Sequence, residues 1–143
     1  MNDAASWSRS YHRDIAATAQ AIWRAWADPA NWKRWNEGVR SIRMEGDFGA
    51  GTWFAMELPD GEIIRSLLVE VADERRFVDE TRIGETVVHV EHHIERLNGE
   101  ACRVVYAVEV HGSDAREIGE AVRADFPAVL AGLNRYVGES AAG

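Results

Sequence analysis

From Val39 to His111 the chain is a succession of strand-length segments divided only by turns, and one long amphipathic segment follows. A chain ordered this way must pair strands with their neighbours in sequence and then cover the result with its last segment. Val39–Gly46 alternates, with Ile42 and Met44 on the apolar side, Gly49-Ala50-Gly51 turns the chain, and 52–58 alternates again. Pro59-Asp60-Gly61 is a strong turn signal, so the strands flanking it form a hairpin. Segments 62–72, 76–81, 86–97 and 101–111 follow, separated by Asp73-Glu74, Gly84 and Asn98-Gly99. Asn-Gly is again a tight hairpin signal. Successive hairpins predict an antiparallel sheet.

The last segment starts at Ser113 or Asp114, and Glu117, three positions after Asp114, predicts a capping box. Its stripe of Ile118, Val122, Phe126, Val129, Leu130, Leu133 and Val137 describes a helix of about six turns with one apolar face. Pro127 removes a backbone hydrogen bond within it and predicts a kink. A helix with one broad apolar face must lie against the sheet. A strongly curved sheet wrapped round a single helix leaves a gap wherever the helix cannot fill it, and small molecules bind in such gaps.

The chain before the sheet is rich in tryptophan: four of the six lie between Thr18 and Asn36. Residues 7–15 put Trp7, Tyr11 and Ile15 on one side at period two, as in a half-buried strand. Thr18 is a candidate N-cap for a helix whose stripe is Ile22, Trp23 and Trp26. Pro29 disfavours a helical Asp28 and ends that run, after which Ala30–Asn36 restarts as one short turn. Trp23 and Trp26 are expected in the core, while Trp32 and Trp35 sit in a connection that closes one end of the sheet, near a cavity entrance.

A length of 143 residues fits a single domain over 1–143, with about 1–6 and 139–143 expected to fray. The net charge of −8 and the scatter of basic residues argue against nucleic acid as a partner. No basic region followed by an apolar run opens the chain, and no stretch approaches the roughly 18 apolar residues of a membrane span. The lone Cys102 excludes an internal disulfide and fits a reducing, cytoplasmic location. A homodimer is compatible with the sequence.

Alternation assigns the inward faces. On 86–97 they are Val88, Val90, His92 and Ile94; on 101–111, Cys102, Val104, Tyr106, Val108 and Val110; on 52–58, Thr52, Phe54, Met56 and Leu58. On 63–71 two sets compete, and Ile63, Arg65, Leu67, Val69 and Val71 are taken as inward over Ile64, Ser66 and Leu68. Phe77 and Asp79 follow on the next strand, and Trp35, Phe126, Leu130 and Asn134 face the cavity from outside the sheet. The polar groups directed into an apolar space are then Arg65, Asp79, His92, Tyr106 and Asn134. A buried charge needs a partner, and Arg65 with Asp79 is the natural pair. These groups either satisfy one another or orient a ligand carbonyl, carboxylate or phenol. In a catalytic reading His92 acts as general acid or base and Tyr106 as hydrogen-bond donor.

No metal or cofactor is expected. His89 and His93 share a strand face but stand about 13 Å apart, too far for one zinc with bonds near 2 Å. No glycine motif precedes a helix to cradle a phosphate.

Particular residues add a resemblance. Ile15, the Ala-x-x-Ile-Trp of Ala19–Trp23, Asp28-Pro29, Trp32-x-x-Trp35, Gly51-Thr52, Leu67 to Val71 before Asp73-Glu74-Arg75-Arg76, and the final Leu-x-x-Tyr-Val resemble the helix-grip (SRPBCC, START-like) superfamily over about 8–138. Trp26, where the superfamily more often has an aliphatic residue, and Pro127 depart from the pattern. The resemblance implies an α+β fold: a curved antiparallel sheet of about seven strands round a long C-terminal helix, with two short helices after the first strand. It also implies a deep apolar cavity beneath that helix. The superfamily includes carriers and sensors of hydrophobic molecules (lipids, polyketides, other aromatics), polyketide cyclases and aromatases, and chaperone-ATPase activators. The fold does not choose among them. Binding of a small hydrophobic molecule is the leading expectation, with a cyclase or aromatase using His92, Tyr106 and Arg65 next, and a protein-interaction module third.

Overall fold

The computed structural model describes residues 6–142, with side chains to 139. Of the ends expected to fray, residues 1–5 and 143 lie outside the described residues, whereas Ser6 belongs to β1 and 139–142 continue the last helix. The elements are β1 (Ser6–Ile15), α1 (Ala19–Trp26), a 3₁₀ helix (Pro29–Arg34), β2 (Ser41–Met44), β3 (Trp53–Glu57), β4 (Ile63–Ala72), β5 (Arg76–Ile83), β6 (Thr86–Asn98), β7 (Ala101–His111), α2 (Ala115–Arg123) and α3 (Phe126–Ala142). The strands form one seven-stranded sheet in the order β1-β7-β6-β5-β4-β3-β2. Every pairing is antiparallel. The hairpins follow from the turn residues, Gly61 and Gly84 taking positive φ at two of the corners. The pairing of β1 with β7, Tyr11 opposite Tyr106, joins the two ends of the sheet sequence and has no local signal.

Thr18 caps α1 by accepting a hydrogen bond from the Ala21 N–H at 3.1 Å. Pro29 opens the 3₁₀ helix, where its missing N–H costs nothing. The C-terminal helix does lie on the sheet, but it is broken between Arg123 and Phe126 rather than kinked at Pro127. Pro127 is the second residue of α3, in the first turn, where no intrahelical partner for its nitrogen exists. The expected capping box also fails to form. Asp114 adopts a left-handed φ of 62° and makes no side-chain cap, because an N-cap carboxylate reaches the first-turn N–H groups from extended backbone.

The inward face of β4 is the reverse of the expectation. Phe54 pairs with Ser66 and Met56 with Ile64, and residues opposite one another share a face, so the inward β3 residues carry Ile64, Ser66 and Leu68 inward with them. A bulge between Leu68 and Glu70 then switches the phase and brings Val71 in, opposite Phe77. One strand therefore carries both alternations, which is why neither fitted throughout. Arg65 points outward, ion-paired to Glu45 at 3.0 Å and stacked over Trp53 with its guanidinium carbon 4.3 Å from the ring centre. Leu67 lies opposite Trp53 on that same outer face.

The core joins the sheet to both helical covers: Ile15, Ile22, Trp26, Leu68, Phe77, Val104 and Leu133 are fully buried. Two glycines set the helix heights. A Cβ at Gly119 would run into the Trp7 ring, and one at Gly132 into the Trp35 carbonyl oxygen. Cys102 is buried in the same core. Among the described residues no helix is long and apolar enough to cross a membrane.

Candidate ligand cavity

Between the sheet and the C-terminal helices lies a cavity of about 750 Å³. Its depth is aromatic: Trp32, Trp35, Phe54, Phe77, Tyr106 and Phe126 line it and are themselves buried. Its rim is made of lining residues that are exposed, Pro59 and Asp60 of the β3–β4 turn, Ile83, and Ala121, Ala124 and Asp125 at the break between α2 and α3. The helix break thus stands over the opening. Trp32 and Trp35 are buried within the aromatic lining rather than exposed at the rim. The indole N–H of Trp32 is tied to the Trp26 carbonyl at 2.9 Å.

Three cross-strand rows supply the polar groups. Ser66 and Thr81, opposite each other on β4 and β5, share a hydroxyl hydrogen bond of 2.6 Å. One row along, Asp79 lies between Leu68 and Val90, both aliphatic. The row below is Phe77, His92 and Tyr106. There Phe77 and His92 stack at 3.8 Å between ring centres, and Tyr106 meets His92 edge-on at 4.7 Å.

The environments of these groups set their protonation. Burial pushes the Asp79 carboxyl up to about 7, and among the described residues no ion pair or hydrogen bond offsets it. Burial drives His92 down to about 3, so the ring is neutral at physiological pH. Its Nδ1 lies 3.1 Å from the Phe77 carbonyl oxygen, which only accepts. Nδ1 therefore carries the proton, and Nε2 presents a lone pair. Burial also raises the Tyr106 hydroxyl, which stays protonated. The Trp26 indole N–H lies beside it without a hydrogen-bond partner of good geometry. Asp125 is exposed at the rim, but its carboxylate turns in toward Gly38, and partial burial holds it above the usual carboxylate range. Among the described residues neither lysine nor arginine lines the cavity.

Of the residues expected at a site, Trp35, Phe54, Met56, Phe77, Asp79, Val90, His92, Tyr106 and Phe126 line this cavity together. Arg65 and Leu67 do not, because of the β4 phase, and the expected Arg65–Asp79 pair does not exist. Leu130 is buried in the core, and neither it nor Asn134 reaches the cavity wall. Asp125, Ser66 and Thr81 were missed. The sign of Asp125 lay in Pro127, which marks the start of a helix as readily as a kink. On the outer face His89 pairs with Glu80 at 3.0 Å and His93 with Glu91 at 2.8 Å. Among the described residues no cluster of three or more His, Cys, Asp or Glu side chains could hold a metal ion.

Solved structures share this architecture. The norcoclaurine synthase of Thalictrum flavum, determined with dopamine and hydroxybenzaldehyde, superposes with a TM-score of 0.73 at 18% identity, covering 94% of this chain and 87% of that one. A START superfamily protein from Mycobacterium smegmatis gives 0.75 at 12% identity, covering 92% and 97%. A protein from Nitrosomonas europaea gives 0.74 at 16%, covering 95% and 97%. No curated protein matches the sequence. The sequence model of the family described as polyketide cyclase / dehydrase and lipid transport matches residues 6–138. With its helix-grip fold and nearly its whole length matched, the chain belongs to that family.

Proposed function

We propose that this chain binds a small hydrophobic molecule in the cavity, as a carrier or sensor acting in the cytoplasm. The observation that carries this reading is a cavity of about 750 Å³ with an aromatic depth and an open rim. Sites for small organic ligands run from about 300 to 1,000 Å³ and combine apolar walls with a few polar groups. A protein-interaction module has no need of such a space. Native mass spectrometry of the purified protein, followed by extraction of whatever co-purifies, is the direct test. Failure of any member of a broad lipid and aromatic polyketide panel to bind would sink the reading.

One observation favours an enzymatic second reading of the cyclase or aromatase type. Asp79, with a carboxyl near 7, shares the cavity with His92 and Tyr106, and a group titrating near neutrality in a cleft is suited to proton transfer. The roles differ from those expected of the sequence. Arg65 drops out, His92 accepts but cannot act as an acid at neutral pH, and Asp79 moves the proton. An Asp79→Asn variant that keeps turnover of a substrate found in the panel would remove this reading and leave the first intact.

A further inference from the structure

We propose that the cavity's ligand is a hydrophobic amine, cationic in water, which sets its ammonium group at Asp79 and its hydrocarbon part in the aromatic depth. This rests on the cavity being a ligand site.

The first argument is charge. The walls carry Asp79 and, at the rim, Asp60 and Asp125, and among the described residues no lysine or arginine is set against them. A fatty acid or any other carboxylate would bring a further negative charge into a low-dielectric space that holds no cation. The inward arginine on the Asp79 row is Arg9, reached through Val90 and Val108. It stands three strand spacings away, about 14 Å, and is held over the Tyr11 ring at 5.3 Å.

The second argument is hydrogen bonding. His92 and Tyr106 are more than nine-tenths buried and both line the cavity. The Nδ1–H of His92 is committed to the Phe77 carbonyl, so its Nε2 offers only a lone pair to the cavity. Among the described residues the Tyr106 hydroxyl makes no hydrogen bond of good geometry, and the Trp26 indole N–H lies beside it. An ammonium group supplies three donors and no acceptor. That complements the Asp79 carboxylate, the His92 lone pair and the Tyr106 oxygen, while the unpartnered indole N–H of Trp35, which also lines the cavity, is left to an acceptor elsewhere on the ligand. The third argument is the wall itself: the rings of Trp32, Trp35 and Phe54 line it, and aromatic rings accept a cation as well as hydrocarbon.

An unpartnered carboxyl between Leu68 and Val90 opposes folding, since its ionised form is poorly solvated there. A cationic ligand supplies the missing partner. The test uses three probes of one shape, naphthylethylamine, naphthylethanol and naphthylacetate, titrated calorimetrically into the wild-type protein and into Asp79→Asn and Asp125→Asn. The amine is expected to bind wild type at least about tenfold more tightly than the acetate, with the alcohol between. Asp79→Asn should collapse the ratio of amine to alcohol affinity, and Asp125→Asn should preserve most of it. Removing an unpaired, partly buried acid should leave the fold intact, which thermal melting of the variant checks. Equal binding of all three probes, preference for the acetate, or a ratio that survives Asp79→Asn would overturn the amine assignment while leaving the cavity as a ligand site. Failure of all three to bind would overturn both.

Discussion

The two ends of the cavity are built from the same strands and differ in almost every other respect. At the closed end, Trp26 meets Phe77 at 5.2 Å, Trp32 meets Phe77 at 6.1 Å, and Phe77 lies on His92 at 3.8 Å between ring centres. At the open end, Ile83 and Asp125 are exposed and nothing stacks on them. The β5 strand runs from one end to the other, and its inward residues go from Phe77 at 2% exposure to Ile83 at 48%. The sheet is continuous, so the difference comes from the cover. The closed end lies under α1 and the 3₁₀ helix, the open end under the break between α2 and α3. Close packing sustains the first. The second holds Asp79, a group that stability alone would not select.

The sharpest way to break this division is at the closed end. Trp26→Ala should cost about 3–5 kcal/mol, because a fully buried indole leaves a hole that its edge-on aromatic neighbours cannot fill. Urea denaturation measures it. A loss under about 1 kcal/mol would mean that this end is not the stabilising one.

Acid and base should act on the two ends in opposite senses. His92 has a folded value near 3 against 6.5 for the free side chain, so the unfolded chain binds the extra proton between those limits. Its contribution is present above pH 6.5 and is lost as pH falls toward 3. Asp79 has a folded value near 7 against 3.8, so the folded chain binds the extra proton, and stability falls as pH rises from 3.8 to 7. Each difference is worth at most about 1.4 kcal/mol per unit, a few kcal/mol in all. Asp79→Asn should therefore stabilise the protein at pH 8 and have little effect at pH 4. Melting curves at the two pH values give the comparison, and an equal change at both would refute the assignment.

Between the ends, Gly132→Ala should cost about 1–3 kcal/mol by pushing α3 off the Trp35 carbonyl. Its ligand affinity should fall as well, because Trp35 and Val129 both line the cavity. The smallest effect is expected from Arg65→Ala on the outer face. Loss of an exposed ion pair and a stacked guanidinium should leave the urea midpoint nearly unchanged, because solvent screens the pair. Ligand binding should be unchanged, and a tenfold loss would restore Arg65 to the site.

Most of the sheet was legible because alternation and turn chemistry are local. The inward sets of β3, β6 and β7 could be read directly, and with them Phe54, His92 and Tyr106. β4 could not be read in the same way. Its phase depends on the partner strand and on a bulge between Leu68 and Glu70, and a bulge moves every later side chain to the other face. That one unread residue put Arg65 inside and supplied Asp79 with a partner it does not have. The α2–α3 break was hidden for a related reason. Pro127 is compatible with a kink or with a helix start, and only the packing of each half on the sheet distinguishes them.

The sequence by itself determined which segments are strands and helices, that the sheet is antiparallel, and which faces of most strands are apolar, because those properties follow from side-chain periodicity and turn residues. Tertiary structure decided that β1 closes against β7, that β4 changes phase midway, and that Asp79 stands among aliphatic neighbours with no cation in reach among the described residues. The physical reason is range. Periodicity acts over a few residues, while burial and charge pairing are set by which strands and helices meet.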